Sequence, residues 1–194
     1  LNCSHLIFHP ARQDWVPGTG YADKANDKFW KAMRLLREQG VDVGVIATNW
    51  GSNIADSKKL IKTLGIEAHV KWVPALASYA FEKMFAQVDL VADQFFLGAF
   101  GGIVPKALAS SRVVVTYLKL GDLEGIYDEP PPVLVANTEF KIADQIKEVL
   151  ANDELRRDLE CRGRDWVEQY HGKRELINRE VAVFRKSLGD SPGD

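Results

Sequence analysis

Little in this chain points to a disulfide-stapled, metal-bound or nucleic-acid-binding protein. There are only two cysteines, Cys3 and Cys161, far apart and without a CxxC pair. Neither a disulfide framework nor a zinc cluster is therefore indicated, a reducing cytosol is the simplest setting, and both thiols are expected to be buried as small hydrophobes. The four histidines, His5, His9, His69 and His171, stand in no metal-ligand spacing. Basic charge is not in excess: 25 Lys and Arg against 27 Asp and Glu leave a net charge of −2, whereas nucleic-acid binders carry a clustered basic surplus. No apolar run is long enough to span a bilayer, and no signal peptide opens the chain. The motifs GxxxxGK[ST], HExxH and GxSxG are missing. Gly18 to Asp23 resemble a dinucleotide fingerprint but lack its third glycine and lie too far from the preceding strand.

What is present is the composition of a globular domain. Hydrophobic residues make up 46% and charged residues 27% of 194 residues, enough for one domain with a full core. The first residue is Leu1 rather than Met, which suggests a piece of a longer protein. Apolar runs alternate with amphipathic stretches. Strands are expected at Leu6–Phe8, Val41–Ile46, Ala68–Val73, Val88–Val91, Val113–Tyr117 and Val133–Val135. Helices are expected over Asp27–Gln39, Ile54–Leu64, Tyr79–Gln87 and from Lys106, and then almost continuously after Thr138. The segment Leu118–Pro132 reads as a loop. Such alternation implies an α/β fold, a Rossmann-like parallel sheet covered by helices on both faces, with ligands at the carboxyl ends of the strands near a switch point.

The organising stretch is Asp93 to Ala109, DQFFLGAFGGIVPKALA, which follows a strand, turns on glycines and enters a helix. Gly98, Gly101 and Gly102 permit backbone geometry closed to other residues, and Pro105 suits a first helical turn. Unpaired N–H groups at such a helix start can seat a phosphate, although a tight connection without ligand explains the same residues. His9, at a strand's carboxyl end, either faces a ligand or is packed. Trp30 and Trp166 read as core, while Trp15, Trp50 and Trp72 are lid or packing residues near strand ends. The last helix carries Ile177, Val181, Phe184 and Leu188 as one apolar stripe.

The order of these pieces resembles the carboxy-terminal, donor-binding half of the family 4 retaining glycosyltransferases, enzymes of GT-B type built from two Rossmann-like domains around a cleft. The resemblance runs through His9-Pro10-Ala11-Arg12, Asp23-Lys24-Ala25-Asn26-Asp27, Val70-Lys71-Trp72-Val73-Pro74, Gly98-Ala99-Phe100-Gly101, Lys106-Ala107-Leu108-Ala109 and Arg112-Val113-Val114-Val115, then into the helices after Ala143. It implies one nucleotide-sugar-binding domain over residues 1–194, with the acceptor-binding amino-terminal half missing. Arg12 and Lys24 would hold the donor's diphosphate, helped by backbone N–H groups of Gly98, Ala99, Phe100, Gly101 and Gly102. Val73 and Pro74 would line the base, and Lys106 would lie near the ribose or a phosphate. No catalytic residue is assigned.

The implied activity is hexosyl transfer from a nucleotide-diphosphate sugar to an acceptor hydroxyl with retention, in carbohydrate biosynthesis, without metal or other cofactor. This chain alone is expected to bind donor but not turn over. The implied setting is the cytoplasm, with the full-length protein at the inner face of the membrane, and the last helix is expected to be exposed in part toward the missing half or covered by a second copy. The chain departs from the family at two positions eight apart that usually carry glutamate, here Gly98 and Lys106, and Lys24-Ala25 replaces a lysine-glycine pair. A degenerate, non-catalytic interaction module of the same fold is the alternative these changes raise. A nucleotide-sugar epimerase is compatible with the fold.

Overall fold

The computed structural model describes residues 1–16 and 23–188. The fingerprint-like stretch at 18–22 lies outside them. Six strands, β1 (His5–His9), β2 (Val43–Thr48), β3 (Val70–Val73), β4 (Leu90–Ala92), β5 (Val113–Thr116) and β6 (Leu134–Val135), form one parallel sheet in the order β3-β2-β1-β4-β5-β6. The helices are α1 (Asn26–Glu38), α2 (Ile54–Thr63), α3 (Ser78–Phe85), α4 (Ile103–Ala109), α5 (Glu139–Ala151), α6 (Asp153–His171) and α7 (Lys173–Ser187).

The strands read as apolar runs because both faces of the sheet are covered. Ile7, Leu90, Val113 and Val115 point into one core with Phe29, Met33 and Leu36 of α1 and Ile142 and Ile146 of α5. Their neighbours Phe8, Val91 and Val114 point the other way, against Phe85, Val104, Leu108 and Trp166. Adjacent residues thus serve opposite layers, as the twofold period of a strand requires. Trp30 and Trp166 are core residues, as expected, and Trp30 packs against Trp72 with ring centres 5.8 Å apart.

Element boundaries move where capping decides them. The Thr138 hydroxyl accepts the Lys141 N–H at the start of α5, and Asn152 both ends α5 and caps α6 by accepting the Leu155 N–H. Gly172 ends α6 and starts α7; a side chain there would strike the Glu168 carbonyl. The chain reaches β3 through a 3-10 turn at Glu67–His69, so this strand starts later than its apolar residues suggest.

Three expectations need correction. Cys161 is exposed on α6 and only Cys3 is partly covered, so burial of both thiols does not hold. Of the three glycines before α4, only Gly98 has positive φ, at 80°; a Cβ at Gly101 or Gly102 would meet open space. Val88 is buried but precedes β4 instead of joining it. The α7 stripe is exposed throughout, from 40% at Val181 to 79% at Leu188, and none of that helix's residues is buried.

Candidate functional site

The strand order reverses between β1 and β4, where one crossover leads toward β2 and the other toward β5. Divergence of loops at such a switch point leaves a crevice at the carboxyl ends. A cavity of about 280 Å³ opens there, between the loop after β1 and the turn after β4. Arg12, Lys24 and Asp93 supply its charge, and Trp50, Phe81 and Phe100 supply much of its apolar wall.

The β1 wall is tied down by a network around residues 10–16 and 48–53. The Gln13 N–H donates to the Trp50 carbonyl at 3.0 Å, and the Asn53 N–H donates to the Gln13 carbonyl at 2.7 Å. Gly51, at φ 115°, passes so close that a Cβ would lie 2.5 Å from the Gln13 nitrogen. The Gln13 amide oxygen accepts from Trp30 Nε1 and Ser57 Oγ in the core, and Asp14 accepts the Ser52 N–H. Trp50 donates through Nε1 to the Pro10 carbonyl and lies under the Arg12 guanidinium, 5.7 Å from its ring centre. Arg12 also pairs with Asp14 at 3.3 Å. The result is an arginine held at the rim with its direction fixed. Trp50, open between lid and packing from sequence, lines the cavity while 43% exposed.

The β4 wall is stapled by a residue that sequence reasoning missed. Gln94 is buried, and its side-chain amide donates to the carbonyls of Ala99 and Tyr117 at 2.8 and 2.9 Å while accepting the N–H groups of Phe96 and Leu97 at 3.0 and 2.7 Å. That amide is saturated internally. Among the described residues, the backbone N–H groups of Gly98 to Gly102 donate no hydrogen bond. Of these, Ala99, Phe100 and Gly101 line the cavity; Gly98 and Gly102 do not. Lys106 is exposed on α4, a helix of seven residues, and neither it nor Val73 or Pro74 lines the cavity.

The two walls meet where the Phe95 N–H donates to the Lys24 carbonyl at 2.9 Å. This bond holds Lys24 beside Asp93. Among the described residues the Lys24 ammonium makes no hydrogen bond and no ion pair, and it acts electrostatically on Asp93. Ala25, next to it, caps α1 in the left-handed region at φ 48°, the conformation a glycine adopts without strain.

Two buried titratable groups flank the switch point. His9 is packed: its Nδ1–H donates to the Ala92 carbonyl at 2.8 Å, and Nε2 accepts from Asn26 at 2.9 Å. Burial lowers its pKa to about 4, so the ring is neutral. Asp93 is only 7% exposed, and burial raises its pKa to about 6 against the pull of Lys24. An acidic residue directly after the apolar β4 was the available signal for it. Among the described residues, no cluster of His, Cys, Asp and Glu could hold a metal ion, and no helix is long and apolar enough to cross a membrane.

No protein-family model and no curated protein matches this sequence. Solved structures do. The C-terminal domain of a glycosyl transferase group 1 family protein from Francisella tularensis aligns with a TM-score of 0.68 at 18% identity, covering 87% of each chain. Sucrose-phosphate synthase from Thermosynechococcus elongatus aligns at 0.74 and 14% identity over 98% of this chain and 47% of its own. The fold is that of a GT-B carboxy-terminal domain. Anabaena HepE in complex with UDP-glucose shares this GT-B domain fold, with a TM-score of 0.70 and 16% identity, over 94% of this chain and 49% of its own. The chain therefore spans less than half of the length of the two larger proteins.

Proposed function

We propose that this chain is the donor-binding half of a glycosyltransferase of the family 4 retaining kind, holding a nucleotide-diphosphate sugar for transfer to an acceptor hydroxyl. The observation that carries the reading is the switch-point cavity, lined by Arg12, by Lys24 and by Ala99, Phe100 and Gly101, whose N–H groups donate no hydrogen bond among the described residues. As the sugar leaves, negative charge develops on the diphosphate, and fixed cations and N–H dipoles stabilise it without reorganising. Neither metal nor cofactor enters this scheme, because two cations and the turn carry the charge. The apolar shelf of Trp50, Phe81 and Phe100 suits the nucleotide's uncharged part. The GT-B neighbours bind UDP-glucose or belong to glycosyltransferase proteins, which favours the same ligand class here.

The acceptor side would come from the missing amino-terminal half, so this chain alone would bind without turnover. The exposed α7 stripe is the surface offered to that half or to a second copy. The full-length enzyme would work in the cytoplasm, at the inner face of the membrane.

One observation favours a second reading, a degenerate interaction module. At Gly98 a Cβ would lie 2.7 Å from Lys119 Cγ, so the space in which a glutamate side chain would start is filled by the lysine stem. Calorimetric titration of UDP, GDP and ADP, on the chain and on Arg12→Ala and Lys24→Ala, separates the readings. Saturable binding of one nucleotide, weakened roughly tenfold or more in each variant, supports a donor site. Absence of binding with the full-length protein as well would leave the interaction module.

A further inference from the structure

A carboxyl group more than nine-tenths buried is costly unless something answers it. Asp93 lines the cavity, yet among the described residues its side chain makes no hydrogen bond and no ion pair. The rest of the site does not behave this way: the amides of Gln13 and Gln94 and both nitrogens of His9 are taken up within the protein. The fold can evidently satisfy polar groups at this sheet edge. Asn26 Oδ1 is also without a partner, but it is buried and does not line the cavity; Asp93 is the open group that does.

The chemistry of its neighbours limits what Asp93 can receive. Arg12 and Lys24 provide for an anion, and a carboxylate would repel that same anion. A group that donates hydrogen bonds without carrying negative charge fits instead, and on a nucleotide-diphosphate sugar those are the hydroxyls of the hexose and ribose and the N–H groups of the base. We propose that Asp93 is a sugar-reading residue of this pocket, its carboxylate accepting a hydroxyl of the donor's hexose. The assignment rests on the donor-site reading above and deepens it. It gives the site a carboxylate on β4's end, a place that compensates for the absence of one at Gly98.

The ionisable groups around this end of β4 are Arg12 and Asp14 from the loop after β1, Lys24 before α1, and His9, which is neutral above about pH 4. Asp93 is therefore the member that changes charge near pH 6. A role as hydroxyl acceptor needs the ionised form, present above that pH.

The test is paired titration of UDP with UDP-glucose, GDP with GDP-mannose and ADP with ADP-glucose, on the chain and on Asp93→Asn, at pH 5 to 8. The readout is the ratio of the two dissociation constants, which isolates the sugar. In Asp93→Asn the diphosphate alone binds as well or more tightly, since a repelling charge is gone, while the sugar's share falls about tenfold, the difference between a charged and a neutral acceptor. The sugar's share also fades below pH 6 in the parent chain and is flat with pH in the variant. Equal changes for diphosphate and sugar conjugate, or an unchanged ratio, would overturn the assignment and leave the donor site standing. Failure of both the chain and the full-length protein to bind any of the six ligands would remove the donor site and this assignment with it. Thermal melts of Asp93→Asn establish that the variant is folded.

Discussion

His9 and Asp93 stand at the carboxyl ends of neighbouring strands and are both removed from water, yet the protein treats them oppositely. His9 ends β1 with a partner on each ring nitrogen. Asp93 follows β4 with no side-chain hydrogen bond or ion pair among the described residues, only the pull of Lys24, and an opening into the cavity. Burial drives both toward neutrality, lowering one pKa to about 4 and raising the other to about 6. The difference separates a ring tied into the sheet edge on both nitrogens from a carboxyl that opens on the cavity.

The comparison breaks most severely if the β4 wall loses its staple. Gln94→Ala strands two N–H groups and two carbonyls at once, and we expect about 3–5 kcal/mol of lost stability by urea unfolding; a loss below about 1 kcal/mol would mean that the turn holds itself. Next comes Asp93→Asn. The acid titrates near 3.8 unfolded and near 6 folded, so at pH 8 the folded state carries a penalty of about 3 kcal/mol that the unfolded state avoids. The variant should therefore be more stable than the parent by about that amount at pH 8, with the gain shrinking below pH 6 and gone by pH 3.5. An unchanged urea midpoint at pH 8 would show the carboxyl to be answered within the protein after all.

A smaller effect sharpens the contrast. His9 binds a proton near 6.5 unfolded and near 4 folded, so its contribution is full above pH 6.5 and is lost as pH falls toward 4. Between pH 4 and 6 the slopes of His9 and Asp93 have opposite signs and cancel. In Asp93→Asn the histidine acts alone, and stability should drop by about 1.4 kcal/mol per pH unit on acidification through that window. The smallest expected change is Ala25→Gly. Relief of the left-handed backbone is worth about 1 kcal/mol, and the buried methyl given up is worth about 0.8 kcal/mol, so unfolding should move by less than about 0.5 kcal/mol. A larger shift of either sign would show that one of the two effects dominates.

The fold was legible because its causes are local or periodic. Strands buried on two faces must be apolar at successive positions, as in Val113-Val114-Val115, and Gly40 and Gly65 mark helix ends with positive φ. The site was legible only where a side chain's chemistry travels with its position. Arg12 and Lys24 line the cavity, while Val73, Pro74, Gly98, Gly102 and Lys106 lie outside its lining. Gln94 and Asp93 could not be ranked from sequence, because the value of a polar side chain at a loop depends on which carbonyls and N–H groups the distant chain brings to it. For Gln94 these come from Tyr117 as well as from its own turn.

The lysine stem lying across Gly98 couples two sites that sequence separates by a helix and a strand. Gly98 combines positive φ with a neighbour that occupies its missing side chain's space, so a glutamate placed at 98 meets strain and a clash unless Lys119 is shortened or swung away. Neither change admits the glutamate alone. The two positions are therefore one steric unit: a side chain at 98 and the long stem at 119 exclude each other.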